Sequence, residues 1–306
     1  MHIVVMGAGG VGGYFGGKLL RSGARVTMVA RGAHLEALAH GGLRVRSSVE
    51  GESLTRPVAV ASLVGRPPAD AVLFCVKAFD TEAAAGALRP VVGPETAVLS
   101  LQNGVDNEEK IDAVLGPGHA LGGAAYVFAT IEAPGVVAHR FGGRIVLGEL
   151  DGRASPRAER LRNALARAGI PVELSATIRQ VLWEKYLFIC AQAGTTAVTR
   201  SPMGVVRATP ETWRLYRLLL DELAALARAA GVGLAAGAVE TIVEAAAGIA
   251  PEATSSLHHD LLAGRRLELE ALHGHAVRLA ERLGVAVPSV FAVYAALKPH
   301  AAGGRG

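Results

Sequence analysis

A lysine in an apolar segment is the residue of this sequence best suited to proton transfer. Lys185 lies in Leu182-Trp183-Glu184-Lys185-Tyr186-Leu187-Phe188-Ile189-Cys190. Apolar neighbours desolvate an ammonium group and lower its pKa, which suits the group to give up a proton. The alternative is a lysine that extends from a buried helix into solvent, and the segment alone does not separate the two.

Two carboxylates and a carboxamide are further candidates. Glu268 and Glu270 are two residues apart in a segment with helical periodicity, so their side chains point in different directions and form no acid/base pair. One of them could face a cleft while the other meets solvent. Asn103, in Leu101-Gln102-Asn103-Gly104, follows an apolar strand and could hydrogen-bond a cofactor or substrate. Because Asn-Gly is also a common turn dipeptide, a purely structural role stays open.

The histidines and cysteines do not have the spacing of a metal site. The histidines considered are His258, His259, His273 and His275. They lack an i, i+4 pair accompanied by an acid and a third ligand, so we expect no bound metal. Cys75 and Cys190 lie in apolar runs without Cys-x-x-Cys spacing, which predicts core thiols in a reducing compartment.

A dinucleotide-binding motif stands at the start of the chain. The apolar strand His2-Ile3-Val4-Val5-Met6 runs into Gly7-Ala8-Gly9-Gly10-Val11-Gly12, which has G-x-G-x-x-G spacing. The first glycine permits a tight turn, the second lets backbone approach a pyrophosphate, and the third lets the next helix pack on the strand. We predict that Gly7, Gly9, Gly10, Val11 and Gly12 bind a dinucleotide at the positive end of that helix; an ordinary tight turn is the alternative.

The end of the second strand indicates which dinucleotide binds. NAD-binding units usually carry an acid there for the ribose 2′-hydroxyl, whereas this chain has Arg31 and no acid in 29–34. A guanidinium suits a 2′-phosphate, so the sequence favours NADP, the alternative being a solvated arginine. Lys77, at the end of the next apolar strand, is a second cation at the carboxyl edge of the sheet, where ligands of such folds bind.

Length and composition indicate a folded protein of about two domains. Of the 306 residues, 51% are hydrophobic and 19% charged, which excludes a disordered chain. The net charge of +4 is small and dispersed, so we expect no nucleic-acid partner.

No charged leader with a cleavage site precedes the first strand, and no apolar run approaches the roughly 18 residues of a membrane helix. These features predict a cytoplasmic protein without a membrane partner.

The order of elements predicts an α/β fold, with an N-terminal Rossmann-like doubly wound sheet and a C-terminal all-helical domain. Strands are predicted near 2–6, 25–29, 71–76 and 97–101. An antiparallel hairpin is predicted from 136–139 and 144–147 around Phe141-Gly142-Gly143. A helix near 155–168, ended by Gly169, and a short strand over 172–174 follow.

From about Ala176 onward long segments with helical periodicity dominate, separated by Gly, Pro and Ser. They are predicted at 177–193, 210–230, 237–248, 252–263, 269–283 and 288–297. We therefore expect an NADP-binding domain over 1–175, a helical substrate and catalytic domain over 176–300, and a flexible tail over 301–306.

These motifs, in their order along nearly the whole chain, resemble the ketopantoate reductase (2-dehydropantoate 2-reductase) family. The resemblance rests on Gly7–Gly12, Arg31, Val76-Lys77, Leu101-Gln102-Asn103-Gly104, Trp183-Glu184-Lys185, Ser255-Ser256 with Asp260, and Leu267-Glu268. It implies NADPH-dependent reduction of a 2-oxo acid in the cleft between a Rossmann domain and a helical domain. The substrate it implies is 2-dehydropantoate, which is reduced to pantoate in pantothenate biosynthesis.

The resemblance also implies residue roles. Lys185 corresponds to the catalytic lysine and Glu268 to the active-site glutamate, which would orient or tune that lysine. Ser256 corresponds to the serine that contacts the substrate carboxylate, and Asn103 to the cleft asparagine, which would contact both cofactor and substrate. Hydride transfer to the C2 carbonyl would then accompany protonation of the developing alkoxide by Lys185.

The sequence departs from the family in its substrate pocket. Well-known members carry asparagines that contact the substrate where this chain has Ile189, Ala193 and Met203. A pocket without these amides is more apolar and offers fewer hydrogen bonds to a distal hydroxyl. Two alternatives therefore stay open: a related 2-hydroxy acid dehydrogenase with a more apolar substrate, and a catalytically silent NADP-binding protein. The sequence also leaves open whether the chain is a monomer or a homodimer.

Overall fold

The computed structural model describes residues 1–304; Arg305 and Gly306, the end of the predicted tail, lie outside the described residues. The chain folds as two compact units. The first comprises 1–102 and 106–178, and the second comprises 103–105 and the chain from Arg179 onward. The sequence predicted a division at 175/176 and did not predict that 103–105 would belong with the second unit.

The first unit alternates strands and helices, as an α/β fold requires. Its strands are β1 (His2–Met6), β2 (Arg25–Val29), β3 (Leu43–Ser47), β4 (Gly51–Thr55), β5 (Val58–Val60), β6 (Ala71–Phe74), β7 (Ala97–Ser100), β8 (Ala120–Ala133), β9 (Val136–Gly148) and β10 (Val172–Leu174). Its helices are α1 (Gly10–Arg21), α2 (Gly32–His40), α3 (Thr81–Leu88), α4 (Asn107–Leu115) and α5 (Pro156–Arg167), with short 3-10 turns at Ala78–Asp80 and Arg89–Val91.

All ten strands belong to one mixed sheet of order β4-β3-β9-β8-β7-β6-β1-β2-β5, with β10 paired to β9. The pairs from β8 through β7, β6, β1 and β2 to β5 are parallel, whereas β8 pairs antiparallel to β9. Side chains of β1 alternate between two apolar clusters: Ile3 and Val5 lie in one, Val4 and Met6 in the other. This two-sided burial explains why β1 reads as an uninterrupted apolar run.

The predicted hairpin over 136–147 is wrong. β9 continues through Phe141-Gly142-Gly143, and its antiparallel partner is the unpredicted strand β8. The turn lies instead at Pro134-Gly135, where Gly135 has φ +76°. Gly142 and Gly143 serve a bulge: a Cβ would lie 2.2 Å from the Tyr126 carbonyl oxygen at Gly142 and 2.4 Å from the Tyr14 hydroxyl at Gly143. Their pattern imitates a turn because bulges and turns both need residues without a Cβ.

The second unit is helical over the residues described, as predicted. Its helices are α6 (Ile178–Thr199), whose first residue belongs to the first unit, α7 (Met203–Ala208), α8 (Pro210–Ala229), α9 (Ala238–Ala247), α10 (Ser256–Leu262), α11 (His273–Leu283) and α12 (Pro288–Leu297), with 3-10 turns at Glu268–Glu270 and Lys298–His300. They enclose one apolar core in which Tyr216 of α8 and Leu187 of α6 are fully buried. The predicted fold class is therefore confirmed.

Two local features of the second unit differ from prediction or add to it. Glu268 and Glu270 lie in a 3-10 turn and not in the predicted helix, because α11 begins only at His273. The described part of the tail contacts the loop before that turn: the Leu267 amide donates to the Ala301 carbonyl at 3.0 Å, and the Gly304 amide donates to the Gly264 carbonyl at 2.9 Å. None of the helices in the described part of the chain is both long and apolar enough to cross a bilayer.

Candidate functional site

The glycine-rich loop makes close backbone contacts that side chains would prevent. Gly7 has φ +94°, and a Cβ there would lie 2.9 Å from the Val76 amide nitrogen. A Cβ on Gly12 would lie 2.1 Å from the Gly7 carbonyl oxygen, so the third glycine allows α1 to approach the loop. Apart from its two chain neighbours, no described residue comes within 4 Å of a Cβ built on Gly9, which leaves room for a ligand beside its backbone. These observations fit a pyrophosphate at the N-terminus of α1.

Two further residues of the loop have different surroundings. A Cβ on Gly10 would lie 2.0 Å from the carbonyl oxygen of Ala129, so this glycine accommodates β8 as well as the loop. Val11 is partly buried against the apolar cluster beneath the sheet. The close approach of the β8 backbone explains why position 10 needs a glycine, a reason that the sequence motif does not reveal.

His34 is a contact of the loop that the sequence analysis missed. Its Nε2 lies 2.8 Å from the Ala8 carbonyl oxygen, and its Nδ1 accepts a hydrogen bond from the Gly135 amide at 3.1 Å. Because Nδ1 accepts, the neutral ring carries its proton on Nε2 and donates to Ala8. His34 therefore links α2 and the β8–β9 turn to the glycine-rich loop. Its only sequence signal is its place three residues after Arg31.

The predicted cations lie at the carboxyl edge of the sheet. Arg31 directly precedes α2, and its side chain is 78% exposed. Its Nη2 donates to Oδ2 of Asp80 at 2.6 Å, a partner that the sequence analysis did not identify. Lys77 is exposed and precedes the 3-10 turn that contains Asp80. The structure thus places Arg31, Lys77 and the glycine-rich loop in one unit, after the neighbouring strands β2, β6 and β1.

The segment after β7 has two roles. Gln102 is buried, and its Nε2 donates to the Val76 carbonyl at 3.0 Å and to the Thr81 hydroxyl at 2.9 Å, which ties the ends of β7 and β6 together. Asn103 is partly exposed and lies in a bend in which Gly104 has φ +114°. Val105 packs against the core of the second unit. Asn103 therefore lies between Gln102, which joins two strand ends, and Val105, which packs against the helical core.

Lys185 lies in the middle of α6 and is only 9% exposed. Its neighbour Tyr186 donates to the Leu272 carbonyl at 2.7 Å, and His273 Nε2 hydrogen-bonds the Cys190 carbonyl at 3.0 Å. Burial lowers the pKa of His273 to about 4, so its ring is neutral at pH 7 and donates this bond. These two bonds hold α6 against the segment that follows Glu268.

Glu268 is also 9% exposed, whereas Glu270 in the same 3-10 turn is half exposed. Glu270 accepts hydrogen bonds from Arg278 at 2.6 Å, from the Tyr294 hydroxyl at 2.9 Å and from Lys298. The two glutamates therefore have separate environments, one buried and one in a surface network. Lys18 and Glu108 are buried as deeply, so burial alone does not distinguish Lys185 and Glu268. They are the strongest candidates for chemistry because they also match the residues that the sequence motifs singled out.

Ser256 is the exposed first residue of α10. The preceding Ser255 caps that helix by accepting from the His258 amide at 3.0 Å, and it shares a hydrogen bond of 2.9 Å with Thr196 of α6. Gln192 of α6 donates to the Thr254 carbonyl at 2.8 Å. The bonds from Thr196 and Gln192 hold the start of α10, which carries Ser256, against α6.

The three departures from the family occupy different environments. Ile189, one turn after Lys185, is partly exposed, whereas Ala193 and Met203 are buried in the helical core. Of the three, Ile189 alone is partly exposed, and it also packs against the helical core. Among residues 1–304 no group of three or more His, Cys, Asp or Glu side chains could hold a metal ion.

Comparison with known proteins identifies the family. The family model described as ketopantoate reductase PanE/ApbA matches residues 3–152, and the model of its C-terminal domain matches 177–301. A 2-dehydropantoate 2-reductase of Mesorhizobium japonicum is 30% identical over 97% of both chains. The crystal structure of a PanE/ApbA family ketopantoate reductase from Ralstonia eutropha is 33% identical over 98% of both chains, with a TM-score of 0.90. A ternary structure of D-mandelate dehydrogenase with NADH and anilino(oxo)acetate, at 22% identity over 98% of both chains and a TM-score of 0.90, shares the fold.

Proposed function

The chain belongs to the ketopantoate reductase family, and from this premise we propose that it reduces a 2-oxo acid to a 2-hydroxy acid with NADPH, the substrate being 2-dehydropantoate. The observation that carries the catalytic assignment is the burial of Lys185 and Glu268 on two segments that Tyr186 and His273 join. A protein that only bound a dinucleotide would need neither buried charge, so this observation favours an enzyme over a silent binding protein.

Most residues that would hold the cofactor belong to the first unit, and Asn103 of the second unit is the exception. Backbone amides of Gly7, Gly9, Gly10, Val11 and Gly12 would face the pyrophosphate, while Arg31 and Lys77 would bind the 2′-phosphate. When bound, the nicotinamide supplies the hydride that reduces the carbonyl carbon. Asn103 would donate or accept a hydrogen bond to cofactor and substrate. The first part of the proposal is tested by the affinity of the protein for NADPH and NADH, where we expect Arg31→Ala to weaken the NADPH preference by about tenfold.

The proton comes from the second unit. The Lys185 ammonium donates its proton to the carbonyl oxygen as negative charge develops there, so that a hydroxyl forms and a neutral amine remains for reprotonation from water. The Glu268 carboxylate orients this ammonium and stabilises its charge. The Ser256 hydroxyl donates a hydrogen bond to the substrate carboxylate, and this bond fixes the orientation of the carbonyl.

A 2-hydroxy acid dehydrogenase with a more apolar substrate is a second candidate. It is favoured by Ile189, which is partly exposed and stands where the resemblance implies an amide in well-known members of the family. The two candidates are separated by a panel of 2-oxo acids assayed with NADPH by nicotinamide absorbance. 2-Dehydropantoate should give the highest kcat/KM if our first choice is correct. A branched analogue without the hydroxyl that exceeds it tenfold or more would favour the second candidate.

We also propose a reducing cytoplasmic location. Both cysteines, Cys75 and Cys190, are free thiols in the described chain, and burial raises the pKa of each. Such thiols are unreactive and form no disulfide, which is typical of proteins of reducing compartments.

A further inference from the structure

An ion pair connects the two loops on either side of the glycine-rich loop. Nη2 of Arg31 lies 2.6 Å from Oδ2 of Asp80, and the side chains are 78% and 30% exposed. Arg31 follows β2 by two residues, and Asp80 follows β6 by six. Both strands pair with β1, Val29 and Phe74 being opposite Met6. Since β1 leads directly into Gly7, the pair bridges across the place where the chain turns toward the proposed cofactor.

From this contact we infer that Asp80 determines how strongly the protein prefers NADPH to NADH, by competing with the 2′-phosphate for Arg31. The inference rests on the proposed function, because it assumes that Arg31 meets the 2′ position of the bound cofactor. Asp80 is a positioning and specificity residue in this role and takes no part in hydride or proton transfer.

The chemistry of the three groups sets the direction of the effect. A guanidinium binds a carboxylate and a phosphate through the same fork of N–H groups, so a 2′-phosphate must displace Asp80 or share Arg31 with it. A phosphate monoester carries a charge of about −1.5 to −2 at pH 7, and the nearby carboxylate repels it. The 2′-hydroxyl of NADH carries no charge and can donate a hydrogen bond to a carboxylate. Asp80 therefore weakens the binding of NADPH and does not weaken the binding of NADH.

The position of Asp80 gives it a second property that matters for NADH. NAD-binding units place their acid at the end of the second strand, where this chain has none. Asp80 brings a carboxylate to the guanidinium at that strand end from the neighbouring loop. The site thus combines an arginine for a phosphate with an acid for a hydroxyl, which predicts a smaller preference for NADPH than Arg31 alone would give.

The test is a set of dissociation constants for NADPH and NADH, measured by reduced-nicotinamide fluorescence at one ionic strength and without a 2-oxo acid. The variants are Asp80→Asn, Arg31→Ala and the double variant. Glu82→Gln is the matched control, because Glu82 is an exposed acid two residues after Asp80. Thermal unfolding of each variant confirms that it is folded.

We expect Asp80→Asn to strengthen NADPH binding by about threefold to tenfold and to leave NADH binding unchanged or weaker. Glu82→Gln should change the NADPH-to-NADH ratio less than twofold. The effect of Asp80→Asn should be smaller in the Arg31→Ala background, because the competition for Arg31 is gone and only the direct repulsion of the 2′-phosphate remains. The inference is overturned if Asp80→Asn weakens NADPH binding, matches the control, or acts equally without Arg31.

The same measurements separate this inference from the proposed cofactor. If the unaltered protein binds NADH at least as tightly as NADPH, the proposed preference is wrong, while a shift of the ratio in Asp80→Asn would still support the role of Asp80. If NADPH is preferred and Asp80→Asn has no effect, only the inference fails. No binding of either dinucleotide to any variant would overturn both.

Discussion

Lys185 is the residue on which turnover depends in the proposed mechanism. Its replacement by alanine removes the proton donor, so we expect Lys185→Ala to lower kcat by about 10²- to 10⁴-fold. The dissociation constant of NADPH should stay within about twofold, because the proposed cofactor contacts of Gly7–Gly12 and Arg31 lie in the other unit. Steady-state kinetics and cofactor titration measure the two quantities.

Two companion variants sharpen this prediction. Glu268→Ala should also reduce kcat, and the double variant should lose less than the sum of the two effects if both side chains act together. Lys110→Ala, which removes a lysine of α4 that pairs with Asp106 at 2.8 Å, is the control and should keep normal turnover. Near-normal turnover of Lys185→Ala would refute the assigned acid.

Ile189 is the residue that should control selection of the substrate's distal hydroxyl. An asparagine there would restore an amide one helical turn from Lys185, on the same face of α6. We expect Ile189→Asn to raise kcat/KM for 2-dehydropantoate, relative to the branched 2-oxo acid without its hydroxyl, by about tenfold or more. Ile242→Asn in α9 is the control for introducing an amide at a partly buried position. An unchanged ratio in Ile189→Asn would place hydroxyl recognition elsewhere.

At the scale of elements, the junction of β1, the loop and α1 depends on Gly12. An alanine Cβ would lie 2.1 Å from the Gly7 carbonyl oxygen, so α1 must move away from the loop. We expect Gly12→Ala to destabilise the protein by about 1 to 3 kcal/mol and to weaken NADPH binding by at least about tenfold.

Gly86 provides the matched control for this substitution. It lies inside α3, and among the described residues nothing comes within 4 Å of a Cβ built on it. Gly86→Ala should leave cofactor binding unchanged and stabilise the protein by up to about 1 kcal/mol, because alanine loses less conformational entropy in a helix. Chemical denaturation and cofactor titration of the two variants decide the prediction, and equal effects would contradict it.

The 3-10 turn that carries Glu268 is anchored by its other glutamate. Burial raises the pKa of Glu270, but hydrogen bonds from Lys298, Arg278 and Tyr294 outweigh it and hold the pKa below its ordinary value. A carboxyl group with a lowered folded-state pKa contributes stability above its unfolded pKa, and this contribution is lost as the pH falls through the folded pKa. The pair partners are half exposed, so the contribution should be below about 1 kcal/mol.

We therefore expect Glu270→Gln to lower Tm by a few degrees or less at pH 7, with the difference shrinking as the pH falls below about 4. Turnover should fall modestly, because the turn that positions Glu268 loses its anchor. Glu281→Gln, an exposed acid on α11, should show neither effect. A Tm difference that grows toward low pH would contradict the assignment.

Elements with strong local signals were predictable, and contacts between distant segments were not. Helix α5 has Ser155 as its N-cap, Pro156 in its first turn and Gly169 in a left-handed conformation after its end, so its bounds were close to the prediction. Strands β3 and β4 were missed because they are short and carry Arg44, Arg46 and Glu52. Gly142-Gly143 was misread because a bulge and a turn share one composition.

The same contrast between local signals and contacts of distant segments applies to the candidate site. Gly7–Gly12, Arg31 and Lys185 were identified because each has a local motif. Asp80, His34 and the partners of Glu270 were not, because their roles come from residues that the fold brings together across 49, 26 and up to 28 positions. No local pattern encodes such pairs, whereas the order of strands in the sheet determines which loops meet.

At the scale of the whole molecule, binding and proton transfer are assigned to different units with separate cores. The cofactor loop follows β1, whose side chains lie in the two apolar clusters of the sheet, whereas α6 and the Glu268 turn pack on the helical core. A ligand that binds the folded state stabilises it by about 2.7 kcal/mol at 100 times its Kd, whichever residues perform the chemistry. Thermal stabilisation by NADPH therefore reports on cofactor binding independently of turnover.

This separation yields a prediction that activity alone cannot test. At an NADPH concentration of about 100 Kd, Lys185→Ala should show the same stabilisation as the unaltered protein although it is inactive. Arg31→Ala, at that same concentration, should lose about 1.3 kcal/mol of stabilisation if its affinity falls tenfold. Calorimetry with and without NADPH measures both, and Arg66→Ala, an exposed arginine of the first unit, is the control. If Lys185→Ala lost its stabilisation while Arg31→Ala kept it, the cofactor would depend on the helical unit and not on the glycine-rich loop.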